Sequence, residues 1–506
     1  MIFLAMSTSS CQENSFNPNK ELTLDAFSDM RNSKYQLNHS QINRKLQRLA
    51  KTELSATAAD RQTLRHYIDG GEYLWITYDG VDSRADTLLN YLSHVSRMGF
   101  SEQPFSVGQI RKDLERVRTL DFSKFEINDV YARLEFNLTK AYFRYCAGQR
   151  YGYVNPEFVL NRFDVRDSDS VSVRYNRVYD VRMEHPTDSF FHVAMRKIMP
   201  DSLGNFLQYV EPQGDMYRSL AAELRRTDIS PAYRQKVLCN MERCRWQTMQ
   251  KWEGEQKYVL VNIPAFRLYA VGGDSVLSMK IGCGTVKTKT PLLNSSLMRI
   301  DVNPKWVIPY SIIKKDIAHH AGDEGYFQRR HYYICERPSF KKVPTSSVTS
   351  SMLLSGKYSV VQEGGAGNSL GRIIFRFNNN FSVYLHDTST PAFFSRDNRS
   401  VSHGCVRVEK PYQLALFLLG DDSDGMADKI KYSMETDLTN KQEFSPEKRP
   451  KIDKSRLVNT IKVEPQVPLF ITYYTLFPSQ DGHLMEYPDV YGYDGALYKS
   501  LQKYLQ

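Results

Sequence analysis

One cysteine lies in a short run of residues that could carry out nucleophilic chemistry. Cys405 belongs to the run Ser-His-Gly-Cys-Val-Arg at 402–407, and 18 residues separate it from His386. An imidazole can take the proton of a nearby thiol and return it to a leaving amine. The N–H groups of Gly404 and Cys405 could stabilise an oxyanion, because glycine lets the backbone approach a reacting carbonyl. These residues predict acyl transfer through a cysteine, and a buried structural thiol beside hydrogen-bonded histidines is the alternative.

Two local patterns would position these side chains. Residues 373–377 and 381–385, joined by three asparagines, predict a hairpin that delivers His386 at the end of a strand. Helical spacing resumes near Glu409, so we expect Cys405 just ahead of a helix. Unsatisfied N–H groups and the dipole at a helix start would lower the pKa of its thiol.

The wider chain changes its hydrophobic period near Gly254. From Leu22 to Trp252, apolar residues mostly recur at helical spacing. Beyond Gly254 the period is two, which predicts strands over 258–263, 266–271 and 276–281, and a later one over 468–474. We therefore expect an α+β protein, with an all-α first part and a mostly β second part.

The spacing from His386 to the run at 402–407 resembles the signature of the YkuD-type L,D-transpeptidases. The resemblance extends to four more segments of the β part, at 258–268, 303–309, 368–372 and 384–387. These look like the large periplasmic branch of that family. Tyr73-Leu-Trp75 and the segment 240–246 are similar, more weakly, to its helical scaffold domain. Many large members also carry a small three-helix peptidoglycan-binding module, for which 230–246 leaves no room.

The resemblance implies a domain plan. It has four parts: a leader and linker at 1–21, a helical scaffold at 22–252, a catalytic domain at 255–495, and a tail at 496–506. The basic insertion at about 310–356 is expected to be a lid over the cleft, and a static rim is the alternative.

The resemblance also implies roles for the site residues. Cys405 would attack the carbonyl between the L-centre of diaminopimelate and the terminal D-alanine of a tetrapeptide stem. His386 would be the general base, and an amine at the D-centre of a second diaminopimelate would take the acyl group and form a 3-3 cross-link. Ser402, His403 and Gly404 would shape the oxyanion hole, with a packing role as the alternative for His403.

Arg407 matches a family position suited to holding a stem carboxylate, and its alternative is a surface salt bridge. The stem peptides are the expected partners and carbapenem-type compounds the expected inhibitors, with no cofactor, no metal and no nucleic acid.

Other functions compete with cross-linking. Hydrolysis of the same bond, as an L,D-carboxypeptidase, needs the same acyl-enzyme and only a different acceptor. A nonenzymatic wall-binding scaffold would not require the Cys, His and Gly combination. A zinc site of His386, His403 and Cys405 would need a further ligand that the sequence does not place. The Gly-rich segment 363–372 lacks the Gly-Lys-[Ser/Thr] ending of a phosphate loop and is expected to be a turn lining the cleft.

Composition sets the outer limits. The 506 residues include 41% hydrophobic ones and carry a net charge of +10, which suits a globular protein near polyanions such as nucleic acid, anionic lipid or cell-wall polymer and does not choose among them. Seven cysteines are too few and too irregular for a disulfide framework. The apolar start Met1–Met6, followed by small residues and Cys11, predicts a lipoprotein export signal with Cys11 lipidated, and hence a cell-envelope or periplasmic location.

Overall fold

The structure is a computed structural model in which the residues fall into two compact units. It describes residues 36–53, 57–77, 80–168, 173–420, 425–436, 452–479 and 481–505. The expected leader, with Cys11, lies outside these residues. Within them, no helix is both long enough and apolar enough to cross a bilayer.

The first unit is helical and draws on three segments of the chain. These segments are the residues up to Val154, then Glu184–Gln247, and those from Tyr498 onward. The helices of the first half of the chain are α1 (His39–Thr52), α2 (Ala58–Ile68), α3 (Ser83–Ser93), α4 (Val107–Thr119), α5 (Ile127–Tyr151), α6 (Pro156–Leu160), α7 (Asp188–Arg196), α8 (Leu203–Val210), α9 (Asp215–Leu224) and α10 (Pro231–Arg245). Short strand pairs join β1 (Ile76–Thr77) to β2 (Gly80–Val81) and β3 (Val165–Ser168) to β4 (Val173–Tyr175).

Helix α5 forms the centre of the first unit and is buried on most of its sides. Its carboxylate Glu135 is fully buried and accepts hydrogen bonds from the N–H groups of Leu74, Trp75 and Ile76 and from the Tyr67 hydroxyl. Such bonds offset the cost of burying a charged group. The segment 73–75, which carries part of the resemblance, is thereby fixed against α5.

The second unit is mostly β and comprises Asn155–Met183 and Thr248–Leu497. Its strands are β5 (Tyr179–Asp180), β6 (Lys257–Asn262), β7 (Arg267–Gly272), β8 (Ser275–Gly284), β9 (Leu292–Val302), β10 (Trp306–Val307), β11 (Tyr332–Glu336), β12 (Lys342–Val343), β13 (Tyr358–Gln362), β14 (Ile373–Phe377), β15 (Leu385–His386), β16 (Ser400–Ser402), β17 (Val406–Val408), β18 (Thr460–Thr472), β19 (Leu476–Pro478) and β20 (Leu484–Glu486). Its helices are α11 (Tyr310–Ile312), α12 (Glu324–Arg329), α13 (Ser350–Leu354), α14 (Pro411–Leu419) and α15 (Met426–Glu435), and α16 (Tyr493–Leu505) begins in it.

The main sheet of the second unit has the strand order β14-β15-β17-β8-β7-β6-β18-β9-β5, with β16 alongside β8. Strand β14 also pairs with β9, so the sheet closes on itself. The predicted α+β class is confirmed, as are the strands over 258–263, 266–271 and 276–281. The late strand begins earlier than predicted, at Thr460.

The two units divide the chain differently from the sequence-based boundaries. Residues 155–183 join the β unit, because Tyr179 of β5 pairs with Leu292 of β9. The expected tail is helical, and its Tyr504 packs in the first unit against Tyr153, with ring centroids 4.7 Å apart. Neither contact has a local signal in the sequence. Strand β5 has only two residues, and Tyr504 contacts a ring that is far away along the chain.

The hairpin before His386 is shorter than predicted. Strand β15 contains only Leu385 and His386, and residues 381–384 are not a strand. The Asn379 side chain accepts the N–H groups of Phe381 and Val383, and Ser382 has a φ of 55°. These local hydrogen bonds replace the strand pairing that the alternating pattern predicts.

The insertion between β9 and β14 is a small folded layer with its own core. It carries a four-stranded sheet in the order β10-β13-β11-β12. Nine buried residues form its hydrophobic core: Ile308, Ile313, Ile317, Tyr326, Phe327, Ile334, Val348, Leu353 and Val360. Packing of this kind makes the segment 306–362 a subdomain rather than a long loop.

Candidate active site

His386 is held inside the main sheet between two strands. Strand β15 pairs antiparallel with β14 and parallel with β17, so His386 lies beside Ile374 on one side and Arg407 on the other. Its side chain is buried, at 4% exposure. Its Nδ1 lies 2.5 Å from the carbonyl oxygen of Asp387. Because a carbonyl oxygen only accepts, Nδ1 carries the hydrogen in this contact, and Nε2 is then the basic nitrogen of the neutral ring.

Burial controls the protonation of His386. Desolvation, followed by the nearby charge of Arg407, lowers its pKa to about 4. Hydrogen bonds to the backbone at Asp387 and Leu370 act in the opposite direction. At neutral pH the ring is therefore uncharged and able to accept a proton.

Cys405 lies between β16 and β17, next to the strand that carries His386. Leu385 is in register with Val406, which sets Tyr384 beside Cys405. The Val406 N–H donates to the Tyr384 carbonyl oxygen over 2.9 Å. Burial raises the pKa of the Cys405 thiol, while a hydrogen bond from the Tyr384 backbone and the charge of Arg407 lower it. The resting pair is therefore a neutral thiol and a neutral imidazole.

The expectation that Cys405 lies just ahead of a helix is wrong. Strand β17 follows it at once, and the next helix, α14, begins at Pro411. A helix dipole acts within about one turn of the helix end, so it does not activate this thiol. Arg407 and the Tyr384 backbone are the groups that favour the thiolate.

Ser402 and Gly404 shape the turn that presents Cys405. The Ser402 hydroxyl donates to the Cys405 carbonyl oxygen over 2.6 Å and accepts the Gly404 N–H over 3.1 Å. Gly404 has a φ of 116°, which favours glycine. Since Ser402 occupies the Gly404 N–H, the turn differs from the predicted pair of free oxyanion donors.

The remaining two predicted residues differ in their surroundings. His403 is exposed. Arg407 is half-buried, with its guanidinium carbon 5.6 Å from the centre of the Phe393 ring. Within the described ranges its buried Nε has no hydrogen-bond partner and it forms no ion pair, so the surface salt bridge is not observed there.

A loop that the sequence analysis did not identify supports the cysteine turn. Thr288 donates to the Ser402 carbonyl oxygen over 2.9 Å, and the buried Thr290 donates to the Gly404 carbonyl oxygen over 2.8 Å. Thr290 also accepts the N–H of Gly284 over 2.9 Å. A Cβ at Gly284 would lie 2.0 Å from the Thr288 carbonyl oxygen. Only glycine fits there, and the run Gly-Cys-Gly-Thr at 282–285 was the available signal.

The same loop is anchored by a buried charge. Lys289 has a side chain only 4% exposed, and its Nζ lies 2.6 Å from the Asp164 carboxylate. Tyr491 accepts the Thr290 N–H over 3.1 Å and donates to the Gly284 carbonyl oxygen over 2.8 Å. Residues far apart in sequence therefore fix the loop that holds the cysteine turn.

The Gly-rich segment 363–372 is a turn that leads into β14, not into a helix. The Arg372 N–H donates to the Asp387 carboxylate over 2.7 Å, and a Cβ at Gly371 would lie within 2.5 Å of that side chain. The segment therefore packs directly beside His386. In the part of the chain that the structure describes, no three His, Cys, Asp or Glu side chains are grouped as metal ligands would be.

Comparison with known proteins identifies two domains along the chain. Residues 256–429 match the L,D-transpeptidase catalytic domain of the YkuD family, and residues 66–224 match a scaffold domain. A Haemophilus influenzae protein with a provisional L,D-transpeptidase name is 26% identical over 334 residues. The match covers 64% of this chain and 63% of that protein. The chain therefore carries an L,D-transpeptidase catalytic domain of the YkuD family together with a scaffold domain.

Proposed function

We propose that the protein forms 3-3 peptidoglycan cross-links through an acyl-enzyme on Cys405. The sulfur attacks the carbonyl that joins diaminopimelate to the terminal D-alanine, and D-alanine leaves as its amine. The amine at the D-centre of a second diaminopimelate then attacks the thioester, which forms the cross-link and frees the thiol. The observation that carries this proposal is the parallel pairing of β15 with β17, which brings the strand of His386 alongside the strand that begins directly after Cys405.

The protonation states support His386 as the general base. A ring with a pKa of about 4 is neutral at pH 7 and can take the thiol proton as the sulfur attacks. It can then give that proton to the departing D-alanine amine. Arg407 would favour the thiolate as it forms and hold a stem carboxylate. The Cys405 N–H, with the turn set by Ser402, would stabilise the oxyanion, and His403 would shape the rim.

The insertion is proposed to act as a lid at 310–356. Its own core would let it move as a unit, and Lys314, Lys315 and Lys341 are exposed. Such cations would attract the carboxylates of a stem peptide, and closure would exclude the water that hydrolyses the acyl-enzyme. Lys342 contributes less, because it pairs with Glu363 over 2.8 Å.

The test is to incubate the protein with sacculi that bear tetrapeptide stems and to identify the muropeptides by mass spectrometry. Wild type should release D-alanine and produce 3-3 cross-links, and Cys405→Ala should produce neither. Cys335→Ala is the matched control, since this thiol is buried in strand β11, outside the proposed site. Tripeptides without cross-links would favour the carboxypeptidase function, and activity in Cys405→Ala would contradict the mechanism. This substrate would require a location in the cell envelope, where a lipid anchor at Cys11 would hold the enzyme.

A further inference from the structure

Three basic side chains form one row across neighbouring strands of the main sheet. Arg376 of β14 is in register with Arg299 of β9, and Arg299 is in register with Lys462 of β18. In-register side chains project from the same face of a sheet, and like charges directly opposite each other are unfavourable. A row of three cations therefore favours a bound anion.

The carboxylates of the protein balance this row only in part. Asp301 accepts from Arg376 and lies 3.0 Å from the Arg299 Nε. Glu464 is 4.0 Å from Lys462, and both side chains are largely exposed, which makes this a weak pair. One positive charge of the row is left over.

The row lines a cavity of about 590 Å³. Tyr384 lines the same cavity, and the guanidinium carbon of Arg376 lies 5.1 Å from the centre of its ring. Asn378 and Asn379 also line it. The groove therefore offers cations, amides and two aromatic rings, and the carboxylate of Glu464 also lines it.

Tyr384 connects this groove to the reactive thiol. Its backbone hydrogen-bonds to the Cys405 sulfur, and its carbonyl oxygen accepts the Val406 N–H. Arg376 and Arg299 lie two and three strands away from Cys405, which is about 10 and 14 Å at the usual strand spacing. An extended tetrapeptide covers about 13 Å at 3.3 Å per residue, which reaches Arg376 and ends just short of the Arg299 backbone, so the Arg299 side chain has to bridge the remainder.

We propose that this groove binds free carboxylates of a peptidoglycan stem peptide during the reaction at Cys405. The inference rests on the proposed function and adds a binding site to it. Donor and acceptor stems both carry such carboxylates, on diaminopimelate and at the chain end. The groove discriminates by charge, so stems with amidated carboxylates are poorer substrates.

The test compares wild type with the double variant Arg299→Gln, Lys462→Gln. Both side chains are exposed, whereas Arg376 is more buried and is left intact so that one ion pair with Asp301 remains. Lys431→Gln is the matched control, on the exposed face of α15. One arm measures acylation of Cys405 against donor tetrapeptide concentration. The other measures transfer from the acyl-enzyme to acceptor stems with free or amidated carboxylates.

The half-saturating concentration of one stem should rise about tenfold in the double variant and stay unchanged in the control. Amidation of the carboxylates of that stem should raise its half-saturating concentration for wild type by a similar factor. For the double variant, amidation should change this concentration hardly at all. A rise in the donor arm assigns the groove to the donor, and a rise in the acceptor arm assigns it to the acceptor. Unchanged values in both arms overturn the inference while the proposed function stands. If no tetrapeptide acylates wild type, the proposed function is refuted, and the inference with it.

Discussion

The buried imidazole of His386 should make the folded protein lose stability in mild acid. Its pKa is about 4 in the folded state, against about 6.5 in an unfolded chain. Between these values the unfolded chain binds a proton that the folded one excludes, so the free energy of unfolding falls as the pH falls. From pH 7.5 to pH 4.5 the contribution of this one group is a loss of about 2.5 kcal/mol. Above about pH 7.5 the stabilising contribution of the neutral ring is fully present.

Urea denaturation of wild type and His386→Gln at both pH values measures this contribution. Carboxylates titrate in both proteins, so the difference between the two losses isolates the imidazole. Wild type should lose about 2.5 kcal/mol more than His386→Gln. His403→Gln, at an exposed position, is the matched control and should behave as wild type does. Equal losses in wild type and His386→Gln would show that the sheet does not hold the ring neutral, and would refute the reasoning.

Three further predictions concern the turn, the base and the lid. Thr290→Val keeps the shape of the side chain but leaves buried backbone groups unpaired, so thermal denaturation should show a loss of about 1–3 kcal/mol and mass spectrometry slower acylation of the thiol. His386→Ala should slow acylation, measured by stopped flow, about 10²–10⁴-fold, and His403→Ala should slow it far less. A larger effect in His403→Ala would show that the roles of the two histidines are reversed. Lys314→Gln with Lys315→Gln should weaken substrate capture and shift products toward hydrolysed tripeptides at an unchanged melting temperature. An unchanged product ratio would favour a static rim.

The elements with strong local patterns were predictable from the sequence. The apolar residues Leu88, Leu92, Ile110 and Leu114 recur at helical spacing, and all four are buried in the first unit. The strands around the Gly273 turn alternate clearly and form as expected. In both cases the periodicity reports burial directly, because one face of each element packs on a core.

What the sequence did not predict depends on contacts between distant residues. The position of Cys405 before a strand follows from the pairing of β17 with β8 and β15, which no local period encodes. The short hairpin strand follows from side-chain hydrogen bonds of Asn379. The lysine at 289 gave no sign that it would be buried, since its partner Asp164 is 125 residues away. Tertiary partners override local propensity at each of these places.

The electrostatics of the site follow from its place inside the sheet rather than at a helix end. Burial keeps both His386 and Cys405 neutral at rest, since it lowers the pKa of the imidazole and raises that of the thiol. A preformed ion pair is therefore disfavoured, and in the proposed reaction charge would develop only as the sulfur attacks. Arg407 lies in register with His386 and lowers the pKa of the thiol, so it stabilises the sulfur most when that charge appears. In the proposed reaction the charge of Arg407 would therefore offset part of the burial that favours the neutral thiol.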